Sequence, residues 1–572
     1  MKNYRSLIGE IISNEIGEIE NLDVASLIEV PTDEKMGDYA FPCFRLAKEF
    51  RKAPDAIAAE IAEKLQKNPM FESVENVNAY VNIKIKRTDF IKDVIEDAVL
   101  KGDSFTKSNE GEGKKVLVDY SSPNIAKPFH IGHIRSTVIG NALYLIYKNL
   151  GYDVVRINHL GDYGTQFGKM IVAYRKWGNK EDVQREPIKT LLSYYTKFHE
   201  EAGKNPELDE EARRVFVKLE NGEAEEVALW KWFKEESLKE FEKVYKMLNI
   251  QFDSYAGESF YSDKIPAAVA QLEEKGLLKE SQNSIIVDLD QFGLAPALVK
   301  KSDGSTLYIT RDIAAALYRK DTYNFYKCLY VVASQQDLHF KQLFKVMELM
   351  GNQWAQNCIH VQFGMVSLAE GTLSTRKGRV VFLEDVLNKA VEKTREVVVE
   401  KGVVSENIDR VAEEVGIGAV VFNELAHNRI KDYTFDWDKV LNFEGETGPY
   451  VQYTHARSCS LLRKAGKDMV SKAKNLDNID YEKLTSDTMY ELAKLIHNMP
   501  EVIKEAADRY EPSVVTRHVV KIAQGFNRFY NEERILQGDA TGTVSRLTLV
   551  IATKNAIKNG LALLGIKAPE RM

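Results

Sequence analysis

Cysteine is scarce in this sequence. Four residues of 572, Cys43, Cys328, Cys358 and Cys459, lie far apart, and none forms a C-x-x-C pair. A disulfide scaffold, a paired-cysteine zinc site and a dithiol redox motif are therefore excluded as organising principles. Long apolar runs are also missing. No stretch approaches the about 18 residues that a bilayer-spanning helix needs, and the opening MKNYRSLIGEIISNEIGEIE is an acidic amphipathic pattern without the unbroken apolar centre of a signal peptide. A cytoplasmic protein with no membrane partner is expected. Nor is there a large excess of one charge: 78 Lys+Arg against 85 Asp+Glu gives −7. That balance argues against a protein that coats nucleic acid non-specifically, but leaves room for a local basic surface. From Leu441 to Met572 there are 19 basic and 16 acidic residues. This small excess fits an anionic partner or simply a solvated helical surface.

What is present is an ordinary globular composition, 44% apolar, 10% aromatic and 28% charged. At roughly 100–200 residues per domain, the length implies three or four domains. Residues 1–107 read as an α+β domain: helical patterns, among them AFPCFRLAKEF and AIAAEIAEKLQK, end in the alternating strand VNAYVNIKIK, and DSFTKSNEGEGKK is a polar linker. From Lys114 short β-rich runs (KKVLVDY, YDVVRINHLG, KCLYVVAS, CIHVQFGMV) alternate with helical ones. Residues 112–400 are thus expected to form a Rossmann-type, doubly wound parallel sheet. Insertions fall at about 171–260, charged and helical, and about 280–300. A helical connector (401–448) leads to a C-terminal helix bundle (449–572), in which Leu492, Leu495, Ile496, Met499, Val502, Ile503 and Ala506 make one apolar stripe and Val515, Val519, Ile522, Phe526 and Phe529 another. The fold class is multidomain α/β plus all-α.

The stretch VLVDYSSPNIAKPFHIGHIRSTVIGNAL (116–143) carries the chemistry. A strand ends in a Ser-Ser-Pro-Asn turn, and a helix is expected to start near Phe129 with Ile134, Val138, Ala142 and Ile146 on its buried face. His130, Gly132 and His133 then share its first turn. A helix N-terminus favours anionic phosphate, two imidazoles can donate to phosphate oxygens, and a glycine lets a purine approach the backbone, so the pattern suits ATP. H-x-G-H arises by chance roughly 0.01 times in a chain of this make-up. Read as a metal site, the same two histidines lack the H-E-x-x-H glutamate and a third ligand.

The segment SSPNIAKPFHIGHIRST resembles the HIGH signature of class I aminoacyl-tRNA synthetases, in the long form found in arginyl-tRNA synthetases. NHLGDYGTQFG, LYITRDIAAALYR, ASQQDLHF, FGMVSLAEGTLSTRKG, FEGETGPYVQYTHARS and the terminal GIKAPERM are similar to the same family, so the resemblance spans the whole chain. It implies activation of L-arginine by ATP, with Mg²⁺ travelling on the nucleotide and no zinc, then transfer to the 3′-terminal adenosine of tRNA(Arg) by a monomer. It implies further that His130, Gly132, His133, His339 and Ser374 contact ATP. The second class I signature, KMSKS, is poorly kept: the loop reads Thr372-Leu373-Ser374-Thr375-Arg376, without lysine at either usual position. Lys127, Arg376 and Lys377 are the candidates to supply the missing charge beside His130 and His133. For the substrate, Asp119 and Asp312 are carboxylates able to pair with a guanidinium, and the family pattern adds Tyr308, Ser122, Asn124 and Gln336. Tyr80, Asn82, Tyr163 and Tyr530 are the candidate tRNA contacts, while Phe526 and Phe529 read as packing. Plainer readings stand beside these: Asp312 as a helix N-cap, Asn124 as a turn residue, Lys127 as an exposed loop lysine, His339 as a buried, satisfied histidine. Two other functions remain open, a class I ligase for another amino acid and a synthetase-like RNA-binding protein without catalysis.

Overall fold

The segment VNAYVNIKIK, read above as one strand, folds as the bend and second arm of a hairpin. In the computed structural model, which describes residues 1–17, 22–300, 308–368, 381–400 and 407–572, β2 (Phe71–Val77) pairs antiparallel with β3 (Tyr80–Ile85) across Asn78 and Ala79. Both turn residues have positive φ, 49° and 63°. Two successive left-handed residues match the twist of the strands they join. The free edge of β3 takes β1 (Tyr39–Pro42). Residues 40–42, the start of the helical pattern AFPCFRLAKEF, are therefore strand and not helix. A proline inside a helix removes a donor and clashes with the preceding turn, whereas the end of an edge strand tolerates Pro42, so only Phe44–Leu46 and Ala47–Phe50 coil.

The described residues divide into two compact units. One comprises Met1–Thr106, Thr454–Pro500 and Lys521–Asn559, the other Lys107–Tyr453, Glu501–Val520 and Gly560–Met572. The residues of the C-terminal helical stretch are divided between the two. The helices themselves follow the apolar stripes. Leu492, Ile496, Met499, Ile503 and Ala506 are buried, as are Val515, Val519, Ile522, Phe526 and Phe529, while Leu495 and Val502 are half-buried.

In the second unit β4 (Lys115–Asp119) pairs parallel with β5 (Asp153–Ile157). Five helices follow from Gln166 to Met247, the last of them Ala224–Met247, and then a three-stranded antiparallel sheet of β6 (Leu278–Ser281), β7 (Ser284–Val287) and β8 (Ala297–Lys300). The chain returns to the parallel sheet with β9 (Lys327–Tyr330) and β10 (Cys358–His360), giving the order β10-β9-β4-β5. From β4 the chain moves outward to β5, and from β9 it moves the opposite way to β10. The topological switch lies between β4 and β9, and a parallel sheet binds ligands in the crevice beyond the carboxyl ends of such a pair.

The helix Ile134–Asn149 connects β4 to β5 and is buried almost all round, including Ile134, Val138, Ala142 and Ile146. It begins later than its sequence suggested, at Ile134, after a 3-10 turn at Ile131–His133. Gly140 lets it lie against β4: a methyl there would stand 2.2 Å from Cγ of the buried Tyr120. Gly140→Ala is accordingly expected to lose about 1–3 kcal/mol of stability, the usual effect of overpacking a filled core. Thermal melting measures it, and an unchanged melting temperature would show that Tyr120 has room to move.

Candidate active site

The turn after β4 is held in an uncommon conformation. Ser121, Ser122 and Ala126 all have positive φ, 70°, 47° and 57°. For residues with a β-carbon each such conformation costs on the order of 1–3 kcal/mol and persists only where its surroundings fix it. The N–H of Ser121 donates to Ser136 Oγ (2.9 Å), and Ser136 Oγ donates to the carbonyl of Val331, next to the end of β9 (2.7 Å). Asn124 meets Gly161 in a parallel bridge. A methyl on Gly161 would lie 2.1 Å from Asn124 Oδ1, so glycine is required there. Asn124 is itself exposed, and Lys127, three residues on, is half-buried.

His130 is the N-cap of the Ile131–His133 turn rather than part of a helix. Its Nδ1 accepts from the Gly132 N–H at 3.1 Å, which leaves the proton on Nε2, free to donate. His133 Nδ1 lies 3.2 Å from both the N and the O of His130, and the two rings stand 4.1 Å apart. Burial lowers the pKa of His130, and burial aided by His130 pushes His133 down to about 3. Both imidazoles are thus neutral donors at pH 7, not cations. Backbone bonds from Ile131 N to Val381 O (3.1 Å) and from Leu383 N to Phe129 O (2.9 Å) join this turn to the start of the helix Leu383–Glu400. Ser374, Arg376 and Lys377 lie outside the described residues.

The two proposed carboxylates have different surroundings. Asp119, at the end of β4, accepts from Arg319 at 2.8 Å and from Ser122 Oγ at 3.0 Å. Both its oxygens are occupied, and the two charged side chains are 7% and 2% exposed. Asp119 thus meets the guanidinium of Arg319, since a carboxylate this deep needs a counter-charge. Asp312 stands in the second turn of the helix Tyr308–Tyr323, so it is not a cap. It bonds to His339 Nε2 at 2.6 Å and keeps a side chain 29% exposed. Burial alone would raise its pKa, but the bond from His339, with the charges of His339, His159 and Arg319, holds the carboxyl below its usual value. His339 lies in the first turn of the helix Asp337–Leu349 that follows β9; Gln336, at the N-cap position without a side-chain capping bond, is exposed, as is Tyr308.

Glu258 went unnoticed in the sequence. It closes the first insertion, where neither periodicity nor spacing marks it. In the structure its Oε2 accepts from Arg311, one residue before Asp312, at 3.2 Å. Arg311 also lies over the rings of Tyr163 (4.7 Å) and Tyr308 (5.7 Å). Burial, partly offset by Arg311 and reinforced by the charges of Asp312 and Asp162, pushes the Glu258 carboxyl up to about 7. The Tyr163 hydroxyl donates to Glu220 at 2.6 Å, so it is already engaged. In the other unit, Tyr80 stacks edgewise on the exposed Phe44 (5.5 Å), and Asn82, two residues on along β3, is 7% exposed with an amide nitrogen that finds no partner among the described residues. There too Tyr530 is exposed beneath Arg457 (4.9 Å).

Residues 94–437, more than half of the chain, match the family described as tRNA synthetases class I (R), catalytic domain. The chain belongs to the arginyl-tRNA synthetase family. Residues 5–85 match the arginyl tRNA synthetase N terminal domain and 451–572 the DALR anticodon binding domain. Proteins named arginine–tRNA ligase from Halothermothrix orenii and Clostridioides difficile are 56% and 53% identical, each over the whole of both chains. Among solved structures, the arginyl-tRNA synthetase of Plasmodium falciparum superposes with a TM-score of 0.82 at 26% identity, covering all of both chains. That of Thermus thermophilus gives 0.81 at 24% over 99% of this chain and all of the other, a likeness of fold. The expected fold class, a parallel-sheet class I catalytic domain with an α+β domain before it and a helical domain after it, agrees with these matches.

Within such a catalytic domain the Asp119–Arg319 pair is structural. Arg319→Met should cost about 3–5 kcal/mol by leaving a buried carboxylate alone, and Asp119→Asn should do similar damage from the other side. The double variant should lose much less than the sum of the two. Additive losses in denaturant unfolding would mean that the two charges do not depend on each other.

Proposed function

We propose that this chain is an arginine–tRNA ligase whose activating site is the crevice between the ends of β4 and β9. The observation that carries the reading is the placement, around one switch point, of neutral phosphate donors on one loop and a pair of carboxylates beside the other. His130 and His133, with Gly132, receive ATP. Asp312 and Glu258 receive the substrate guanidinium, with Tyr308 beside it, and Ser122, Asn124 and Gln336 line the path of the α-amino and carboxylate groups. Asp119, paired with Arg319, borders this site from the end of β4. Two acidic groups near one cation give both energy and orientation, and lysine, a point charge, cannot match the planar fork of arginine.

In the first step a carboxylate oxygen of arginine attacks the α-phosphorus, the bond to the bridging oxygen breaks, and pyrophosphate leaves. In the second, a hydroxyl of the terminal adenosine attacks the acyl carbon and AMP leaves. Neither step needs a protein nucleophile; the site positions the reactants and stabilises charge. Lys127, on the approach to His130, supports pyrophosphate; by resemblance Arg376 and Lys377 share that role, and Ser374 and His339 contact ATP. Mg²⁺ would come with the nucleotide. Among the described residues no three His, Cys, Asp or Glu side chains are placed to hold a metal. The RNA contacts of this reading are Tyr80 and Asn82 at one end, Tyr530 at the other, and the ring of Tyr163 near the acceptor end. Domain limits of 1–107, 112–400, 401–448 and 449–572, a monomer and a cytoplasmic location complete it; among the described residues no helix is long and apolar enough to cross a membrane.

Charging of bulk tRNA with a panel of amino acids tests the reading, with arginine alone expected to be incorporated. Incorporation of another amino acid, or of none, overturns it. Asp312→Asn and Glu258→Gln should each lower kcat/KM for arginine by about 2–5 kcal/mol, the effect of truncating one member of a buried charge pair, with the KM for ATP little changed. Equal losses for both substrates would remove them from the guanidinium site. Lys127→Ala should slow adenylate formation by roughly 10²-fold; single-turnover activation at the wild-type rate would make it a surface lysine.

Because the Glu258 carboxyl titrates near 7 and a guanidinium favours the ionised form, arginine affinity should rise as pH rises through about 7 and binding should release a proton. Calorimetry in buffers of different ionisation enthalpy reads that proton. No release, or an affinity that falls with pH, contradicts the role of Glu258.

A further inference from the structure

The inserted helix Ala224–Met247 sends one face into the activating crevice. Trp230, Lys234, Ser237, Phe241 and Tyr245 follow one another at spacings of three or four residues and so line one side of the helix. Each holds a different part of the crevice wall. Trp230 Nε1 donates to the carbonyl of Asp162 at 2.8 Å, and Lys234 pairs with the Asp162 carboxylate at 2.6 Å. Ser237 Oγ accepts from the N–H of Ala126, one of the strained turn residues, at 3.1 Å. The Phe241 ring packs on Phe129 with centroids 5.4 Å apart. The Tyr245 hydroxyl lies 2.8 Å from Ser121 Oγ and accepts from Asn158 Nδ2 at 3.0 Å.

The hydroxyls around Tyr245 have a single consistent orientation. Thr137 Oγ1 donates its one proton to the carbonyl of His133 (2.8 Å). Ser121 Oγ, 2.8 Å from Thr137 Oγ1, must therefore donate to it. Tyr245, already accepting from Asn158, must donate to Ser121. The result is a directed series from Asn158, at the head of the loop after β5, through Tyr245, Ser121 and Thr137 to the backbone of His133. Ser121, Thr137, Asn158, Ser237 and Tyr245 are all buried, so water does not readily replace a missing link.

We propose that Tyr245 and Ser237 are positioning residues for adenylate formation: from the insertion they fix the left-handed turn at 121–126 and, through Ser121 and Thr137, the register of His133. Neither touches substrate. They act on the geometry in which the arginine carboxylate and the α-phosphorus meet, and small displacements there cost rate more than affinity. The inference rests on the activating site assigned above.

The test uses the full-length protein with tRNA(Arg), measuring arginine-dependent ATP–pyrophosphate exchange well below the melting temperature. Tyr245→Phe and Ser237→Ala are each expected to lower kcat by about 10-fold or more, with KM for ATP and for arginine within about 3-fold of wild type. Ser237→Thr, which retains the acceptor, should recover most of the rate. A scaffold role alone predicts a lower melting temperature with wild-type kcat in the folded protein, and that result overturns the proposal. Equal loss in Ser237→Ala and Ser237→Thr overturns the part assigned to Ser237. Should Tyr245→Phe fail to fold, the Ser237 pair decides. His130→Ala separates the two levels of the argument. If it abolishes exchange while Tyr245→Phe and Ser237→Ala leave kcat intact, only the positioning role fails; if it leaves exchange intact, the assigned site fails and the proposal with it.

Discussion

The buried ion pair between Asp119 and Arg319 ties together the parts on which the site depends. Asp119 ends the central strand β4, and Arg319 lies in the helix that leads into β9, the neighbouring strand across the switch point. The same helix carries Tyr308, Arg311 and Asp312. Fixing Arg319 against the end of β4 therefore fixes where those three side chains stand relative to the Ser-Ser-Pro-Asn turn. Two charges removed from water are costly unless geometry and hydrogen bonds compensate. Here Ser122 occupies the second carboxylate oxygen, and the Arg319 guanidinium lies 5.4 Å from the centre of the Tyr330 ring. The catalytic domain thus contains a buried guanidinium of its own, paired with Asp119, and the proposed reading gives the substrate to the carboxylates on the more open side.

A second consequence concerns charge at the phosphates. The HIGH histidines are neutral because they are buried and because backbone groups occupy their Nδ1 atoms, so they offer oriented N–H donors without positive charge. Neutralising pyrophosphate then falls to lysine or arginine. In the proposed reading, the departure of the 372–376 segment from the KMSKS pattern gives that part to Lys127, which is half-buried at the foot of the strained turn.

Much of this was legible in the sequence, for identifiable reasons. Alternation of β-rich and helical runs gave the parallel sheet, and the His130–His133 spacing survived as a paired turn at the end of β4. Local signals failed where long-range pairing decided the outcome. AFPCFRLAKEF looks helical residue by residue, yet pairing with β3 draws its first residues into a strand. Asp119 and Asp312 are indistinguishable as carboxylates beside a nucleotide site; only the position of Arg319, two hundred residues from Asp119, separates them. Glu258, Ser237 and Tyr245 had no sequence signal at all, since an acidic residue at the end of an insertion and a serine and tyrosine on an amphipathic helix are commonplace. Their meaning comes from the atoms they meet.

The account predicts which carboxylates a bound substrate will face. A crystal structure of the full-length protein with a non-hydrolysable arginyl-adenylate analogue tests this most directly. The guanidinium is expected between Asp312 and Glu258, the phosphate analogue beside His130 and His133, and Asp119 still paired with Arg319. A guanidinium that displaces Arg319 from Asp119, or an analogue bound away from the ends of β4 and β9, would contradict the account.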